Sequence, residues 1–97
     1  KLERAAARHV NDMTRRNFRS HTGSDKSSVG DRVTQAGFKW CHVSENITWG
    51  RASYEKALAA WDASPSHKKN LLGRKARAYG VAKGEGGVWV MVFAAPC

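Results

Sequence analysis

Three side chains with acid–base or metal-binding chemistry lie at the ends of predicted elements. His21 follows the first predicted helix, Glu45 follows the first predicted strand, and His67 lies in the first turn of a later helix. Loops and element ends are where sites are commonly built on a scaffold. Two imidazoles and a carboxylate can hold a metal ion with open positions for water, or act as a general acid–base group near neutral pH. Spacing alone does not decide, because a chain with four histidines offers several such triples.

Other residues near this triple have plainer explanations. Ser64 is next to His67 in the predicted fold, but its position as the N-cap before Pro65 accounts for it, and no Gly-x-Ser-x-Gly turn supports a nucleophile. Asn46 begins an Asn-Ile-Thr glycosylation sequon, but the family resemblance described below implies instead a hydrogen bond to buried backbone. The four tryptophans are predicted core residues, and Trp49, which follows the Glu45 segment, is also a candidate wall of the site that would contain Glu45.

Hydrophobic periodicity and turn residues predict an α+β domain with helices and antiparallel strands intermixed. Ser27 or Ser28 is the expected cap of a second helix that Gly37 closes, and Ser53 caps a third. The predicted elements are a helix at 2–17, a short helix at about 28–36, a strand at 38–43, a helix from 54 that includes Trp61, a short helix after Pro65, and a hairpin of strands 78–83 and 88–95.

The charge is strongly basic. Seventeen Lys and Arg oppose eight Asp and Glu, for a net charge of +9, which favours acidic partners such as nucleic acid, anionic envelope polymers or lipid headgroups. The cations are spread in short groups along the chain, without finger spacing or an aromatic RNA signature, so specific nucleic-acid binding is not expected. The longest apolar run, 88–95, has eight residues, whereas a membrane-spanning helix needs about 20. No signal peptide is recognised at Lys1.

The two cysteines, Cys41 and Cys97, are 56 positions apart and lack metal-ligand spacing. If their apolar stretches are neighbouring strands, a disulfide would tie the tail to the sheet, and an oxidising compartment would follow. Two buried thiols are the alternative. His9 lies on the apolar side of the first helix and is predicted to pack there, and His42 is placed on the opposite sheet face from Cys41.

Three ordered fragments resemble the CAP superfamily of cysteine-rich secretory, antigen 5 and plant pathogenesis-related proteins. They begin at His21 (HTGSDKS), at Ser44 (SENITWG) and at Trp61 (WDASPSHKKNLL). The likeness is greatest to the short bacterial branch called SCP-like domains, and it extends over nearly the whole chain, including the closing hairpin with Trp89.

The resemblance implies an α-β-α sandwich with a central antiparallel sheet and a cleft at one end. It also implies that His21 and His67 are ligands for zinc or another divalent cation, with Glu45 as the cleft carboxylate. Residues 1–97 are expected to form one such domain. Since the family's first helix has no counterpart before Leu2, the sequence is expected to be a processed or trimmed piece.

Three departures from the family pattern bear on the site. Ser64 stands where many eukaryotic members carry a second glutamate, which removes a negative charge that would offset a dication. Lys26 and Ser44 replace glycines, and Lys26 is expected to add positive charge near His21. The third departure, the missing helix, is expected to leave apolar surface exposed.

These observations favour a secreted, extracellular or periplasmic binding domain without a transmembrane segment. Its cleft, at His21, Glu45, Ser64 and His67, would hold a metal ion, a small lipid or a cell-envelope component. The alternative is a metal- or Glu45-dependent hydrolase of protease type that uses the same cleft. A third interpretation is a structural hydrogen-bond network that pins the loops. Binding is preferred over hydrolysis because no activated nucleophile is visible in the sequence.

Overall fold

A computed structural model describes all residues 1–97 and consists of a three-stranded sheet with helices on both faces. The strand order is β1-β3-β2, and both pairings are antiparallel. The elements are α1 (Leu2–Arg16), α2 (Val29–Gln35), β1 (His42–Thr48), α3 (Tyr54–Asp62), α4 (Pro65–Leu71), β2 (Ala78–Gly84), a single 3₁₀ turn (Glu85–Gly87) and β3 (Val88–Ala95). The predicted α-β-α sandwich is confirmed, as is the closing hairpin.

The central strand β3 is buried along its whole length because both of its faces are covered. Side chains alternate between the two faces of a strand. Val88, Val90, Val92 and Ala94 join the core beneath α1 and α2. Trp89, Met91 and Phe93 join a second cluster with Ala57 and Trp61 of α3. One apolar run of eight residues therefore supplies two separate cores.

Helix α1 lies directly on the sheet. Its buried stripe is Leu2, Ala5, Ala6, His9, Val10 and Met13, the three- and four-residue spacing of one helical face. Close approach to β2 depends on Gly80, where a Cβ would overlap the backbone of Leu2 and Glu3. The helix ends at Asn17, which adopts the left-handed conformation typical of a helix C-terminus.

The caps of the next two helices are as predicted. Ser28 and Asp31 form a reciprocal capping box at the start of α2, so Ser28, not Ser27, is the cap. The Ser53 hydroxyl accepts a hydrogen bond from the Lys56 amide at the start of α3. These caps place the loops that carry the candidate site.

The predicted strand at 38–43 is wrong in position, because the strand begins at His42 and continues to Thr48. The apolar alternation in 38–41 serves packing against α2. There the Trp40 indole donates to the Gly30 carbonyl and to the Thr34 hydroxyl, and Trp40 is only half-buried. As a consequence, Glu45 lies inside β1 and does not follow it.

Cys41 and Cys97 form a disulfide, with their Cα atoms 4.9 Å apart. The Cys41 amide also donates to the Ala95 carbonyl, so the bond fastens the end of β3 to the start of β1. The predicted disulfide is therefore confirmed, and the alternative of two free thiols is excluded. No helix has the length and apolar character needed to cross a membrane.

Candidate functional site

A buried carboxylate lies beneath the site. Glu45 of β1 is 5% exposed. Its Oε1 atom is 2.9 Å from His21 Nδ1, and its Oε2 atom accepts a hydrogen bond from Arg32 Nη2, also at 2.9 Å. Because an ionised carboxylate only accepts hydrogen bonds, Nδ1 of His21 carries the proton. In the neutral ring, Nε2 of His21 is then the nitrogen left to meet a ligand.

Arg32 of α2 is the functional residue that sequence reasoning missed. It is 1% exposed, and besides Glu45 it donates to the backbone carbonyls of His21 and Ser27. A signal was present, since Arg32 is three residues after Val29 and four before Ala36 and so shares their buried helix face. A cation on such a face requires a buried anion, and the anion is Glu45.

His67 enters from the first turn of α4. Its Nδ1 atom lies 3.0 Å from the Ser64 hydroxyl. Ser64 occupies the N-cap position but makes no capping hydrogen bond, so the expectation that capping accounts for it fully is wrong. The hydroxyl instead orients His67. Burial lowers the pKa of His67 below its usual 6.5, and electrostatic interaction with the nearby His21 imidazole acts in the same direction.

Asn46, next to Glu45 in β1, connects the strand to α4. This side chain is fully buried. Its amide donates to the His67 carbonyl at 3.1 Å, and its Oδ1 atom accepts from Asn70 Nδ2 at 2.8 Å. The predicted structural role of Asn46 is confirmed. The buried amide determines where the His67 turn lies relative to the sheet.

His9 supports the loop of His21 from the opposite side. As predicted, it packs in the core and is fully buried. Its Nε2 atom is 2.6 Å from the carbonyl oxygen of Ser20, the residue before His21. His42 begins β1 opposite Ala95 and does not reach the site.

The cleft in front of these residues has a volume of about 500 Å³. It is lined by Arg19, Ser20, His21, Ile47, Thr48, Trp49, Arg51, Ala60, Trp61, Ser64 and His67. His21, Ser64 and His67 thus line the same cleft, while Glu45 is absent from its lining and lies behind His21. Lys26 is not among the residues that line the cleft. Trp49 is 54% exposed and forms a cleft wall, so it is not a core residue.

The electrostatic character of the cleft is basic. Arg19, Arg51 and the two histidines line it, and no Asp or Glu does. The Arg19 guanidinium lies 5.9 Å from the Trp49 ring centroid, within cation–π range. Because Arg32 compensates the charge of Glu45, the exposed wall carries only positive or neutral groups. No three His, Cys, Asp or Glu side chains come close enough together to hold a metal ion.

Comparison with known proteins agrees with this fold. The sequence model of the cysteine-rich secretory protein family (CAP) matches residues 1–93. The chain therefore belongs to the CAP family. It is 29% identical over 93 residues to the uncharacterised protein YkwD of Bacillus subtilis (strain 168), covering 95% of this chain and 36% of YkwD.

Two solved structures are similar. One is an extracellular protein with an SCP domain from Bacillus anthracis str. Ames, with a TM-score of 0.91 and 27% identity over 96% of this chain and 31% of that one. The other, an outer surface protein from Borrelia burgdorferi, has a TM-score of 0.87 and 20% identity over 99% of this chain and 74% of that one. The chain thus spans about a third of the length of both Bacillus relatives.

Proposed function

We propose that the chain is a binding domain whose cleft holds a small ligand with an anionic head and an apolar body. The observation that carries this proposal is the lining of the cleft. Four basic side chains face the ligand space without any acidic one, beside the apolar surfaces of Ile47, Trp49 and Trp61. Ligand sites commonly combine an apolar wall with a few placed polar groups. Carboxylates and phosphates are the groups that Arg side chains bind best.

The roles of the individual residues follow from their contacts. Arg51 and Arg19 attract the anionic head, and Trp49 offers its ring to the apolar body. Since Nδ1 of each histidine is held by a protein oxygen, each ring presents Nε2 to the ligand. Glu45 acts through His21 by holding its orientation and tautomer. A carboxylate already held by a guanidinium and an imidazole is poorly suited to act as a free base, which weighs against the hydrolase alternative.

Titration calorimetry with octanoate, octyl phosphate and neutral octanol tests this proposal. We expect the two anions to bind and octanol to bind at least about tenfold more weakly, since a hydrogen bond to a charged group contributes about 1.5–3 kcal/mol. Arg51→Gln should weaken anion binding by a similar factor. Arg15→Gln, an exposed change on α1 outside the cleft, is the matched control. Equal affinity for octanol and octanoate would contradict the proposal.

A divalent cation is the second candidate, and the hydrogen-bonded Nδ1 atoms favour it. Metal-binding histidines usually donate their second nitrogen to a carboxylate or other oxygen, as His21 does to Glu45. Zinc sites usually have three or four protein ligands, whereas only His21 and His67 are offered here. We therefore expect zinc to bind weakly and to require both histidines. Equal zinc binding by wild type and the His21→Ala/His67→Ala variant would remove this candidate.

We also propose a secreted or envelope location. The disulfide supports it, because such bonds persist mainly in oxidising compartments. The Bacillus anthracis relative, described as extracellular, supports it independently. Quantifying free thiols in protein isolated from its source under acid quench tests this: fully reduced Cys41 and Cys97 would contradict an oxidising location.

A further inference from the structure

A second surface, formed by the end of α4 and the loop that leads to β2, has an unusual charge pattern. No Asp or Glu occurs between Asp62 and Glu85, whereas Lys68, Lys69, Arg74, Lys75 and Arg77 all lie within residues 68–77. We call residues 68–77 the basic segment. One ion pair reaches it, the distant contact between Lys68 and Asp62 at 3.9 Å. The positive charge of the segment is therefore largely uncompensated by the protein.

Exposed apolar groups lie in and beside the same segment. Leu72 is 68% exposed and Tyr79 is 62% exposed. Three large hydrophobic side chains are exposed in this protein, and the third is Trp49 in the cleft. Tyr79 also lines a groove of about 390 Å³, together with Leu71, Ala76, Met91 and Phe93. The groove shares no lining residue with the cleft.

We propose that the basic segment, with Leu72 and Tyr79, docks this domain onto the surface of an anionic phospholipid bilayer. Leu72 and Tyr79 enter the boundary between headgroups and acyl chains, where amphipathic surfaces insert their apolar side chains. The surrounding Lys and Arg side chains contact lipid phosphates. Long cationic side chains bury their stems while keeping the charge at the interface. The domain is then held at the membrane surface without a spanning helix.

The apolar pair favours a bilayer over a soluble polyanion. A nucleic acid or an envelope polymer that is bound through its phosphates requires only cationic side chains. With such a partner Leu72 and Tyr79 would remain exposed to water and would contribute nothing to binding. A bilayer uses both features together. The basic segment contributes none of the residues that line the cleft, so this inference does not depend on the ligand proposed for the cleft.

Vesicle co-sedimentation tests the proposal, using phosphatidylcholine vesicles with and without phosphatidylglycerol. Wild type is expected to bind the phosphatidylglycerol vesicles and not the neutral ones. Each Lys or Arg near an anionic surface contributes about fivefold in affinity, so the Lys69→Gln/Arg74→Gln/Lys75→Gln variant should bind about 100-fold more weakly. The Leu72→Ser/Tyr79→Ser variant, which keeps every charge, should bind at least about tenfold more weakly.

The matched control is Arg4→Gln/Arg15→Gln/Lys39→Gln, which removes the same charge from exposed positions on α1 and after α2. It should lose severalfold less binding than the basic-segment variant. All substituted side chains are exposed, and an unchanged thermal midpoint verifies folding. Equal loss by the two charge variants would overturn the proposal, as would equal binding to neutral vesicles. Unchanged binding by the Leu72/Tyr79 variant would also overturn it, in favour of a partner recognised by charge alone.

Discussion

Arg32 and Glu45 form an ion pair of 2.9 Å in which each side chain is 1% exposed. Removing two charges from water is costly, and their mutual attraction offsets this cost only when the remaining donors and acceptors are also satisfied. Here both Nη atoms of Arg32 donate to protein groups and Glu45 meets His21, whereas the buried Arg32 Nε has no partner. The pair thereby attaches the loop that carries His21 to the strand β1.

Breaking this pair from one side should be severe. Arg32→Met leaves the Glu45 carboxylate buried without its cation, so we expect a loss of about 3–5 kcal/mol in the free energy of unfolding. The Arg32→Met/Glu45→Gln double variant removes both charges and should lose less than the sum of the two single losses. Urea unfolding of wild type, Arg32→Met, Glu45→Gln and the double variant measures the coupling between Arg32 and Glu45. Additive losses would contradict this coupling.

The sequence predicted which residues approach the candidate site, but not how they are arranged. His21, Glu45 and His67 were found because each lies in a recognisable fragment of the family pattern. Those fragments do not reveal that Glu45 lies behind His21, since this depends on where β1 begins. The side chain of Trp40 extends back to α2 and delays the strand to His42. Alternation of apolar residues cannot distinguish such a packed segment from a strand.

Arg32 and Ser64 illustrate the same limit for individual side chains. A buried arginine is recognised only once its partner in another element is known, and Glu45 is 13 residues away. Ser64 satisfies every local rule for an N-cap, yet its hydroxyl bonds to His67. Tertiary contacts determine both the burial of Arg32 and the hydrogen bond of Ser64. Helices with local caps, such as the one that begins after Ser28, were predictable from sequence.

The buried His9 should make stability depend on pH near neutrality. Burial lowers the pKa of His9 below 6.5, with help from Arg32, while Glu45 and Asp12 act in the opposite direction. A histidine with a lowered pKa in the folded state is protonated more easily when unfolded. Its contribution to stability is therefore complete above about pH 6.5 and is lost as the pH falls through the folded-state pKa.

We expect the free energy of unfolding of wild type to decline as the pH falls below about 6.5. His9→Gln, which retains a donor for the Ser20 carbonyl, should flatten that decline. His67 also has a lowered pKa, so its own titration is removed in the His67→Gln variant. That variant should keep the part of the decline that is due to His9. Chemical unfolding across this range measures both variants. A decline that is unchanged in His9→Gln would show that the charge of His9 is not its cause.

Asn46 should contribute more stability than an ordinary polar residue, because it is buried and bonded to two separate groups of α4. Asn46→Ala removes the donor to the His67 carbonyl and leaves the Asn70 amide with only its longer contact to the Glu45 carbonyl, and we expect a loss of about 1–3 kcal/mol. Asn11→Ala, at an exposed position of α1, should change stability by less than about 0.5 kcal/mol. The NMR chemical shifts of the His67 ring should change only in the Asn46 variant. Unchanged shifts in that variant would show that Asn46 does not position His67 in the cleft.

The disulfide should stabilise the domain without shaping the site. Cys41 and Cys97 join chain ends that are already paired, since Cys41 donates to Ala95 and His42 lies opposite the same residue. The bond therefore adds little to the native contacts and acts mainly by restricting the unfolded chain, which for a 56-residue separation is worth roughly 2–4 kcal/mol.

Cys41→Ser/Cys97→Ser should accordingly unfold at lower urea while keeping the His21 and His67 chemical shifts of wild type. Wild type under reductant should match the double variant, which controls for the serine side chains. Shifts at His21 or His67 on reduction would contradict this separation, because they would show that the strand pairing beside Glu45 depends on the bond. An unchanged unfolding midpoint would contradict the stabilising role itself.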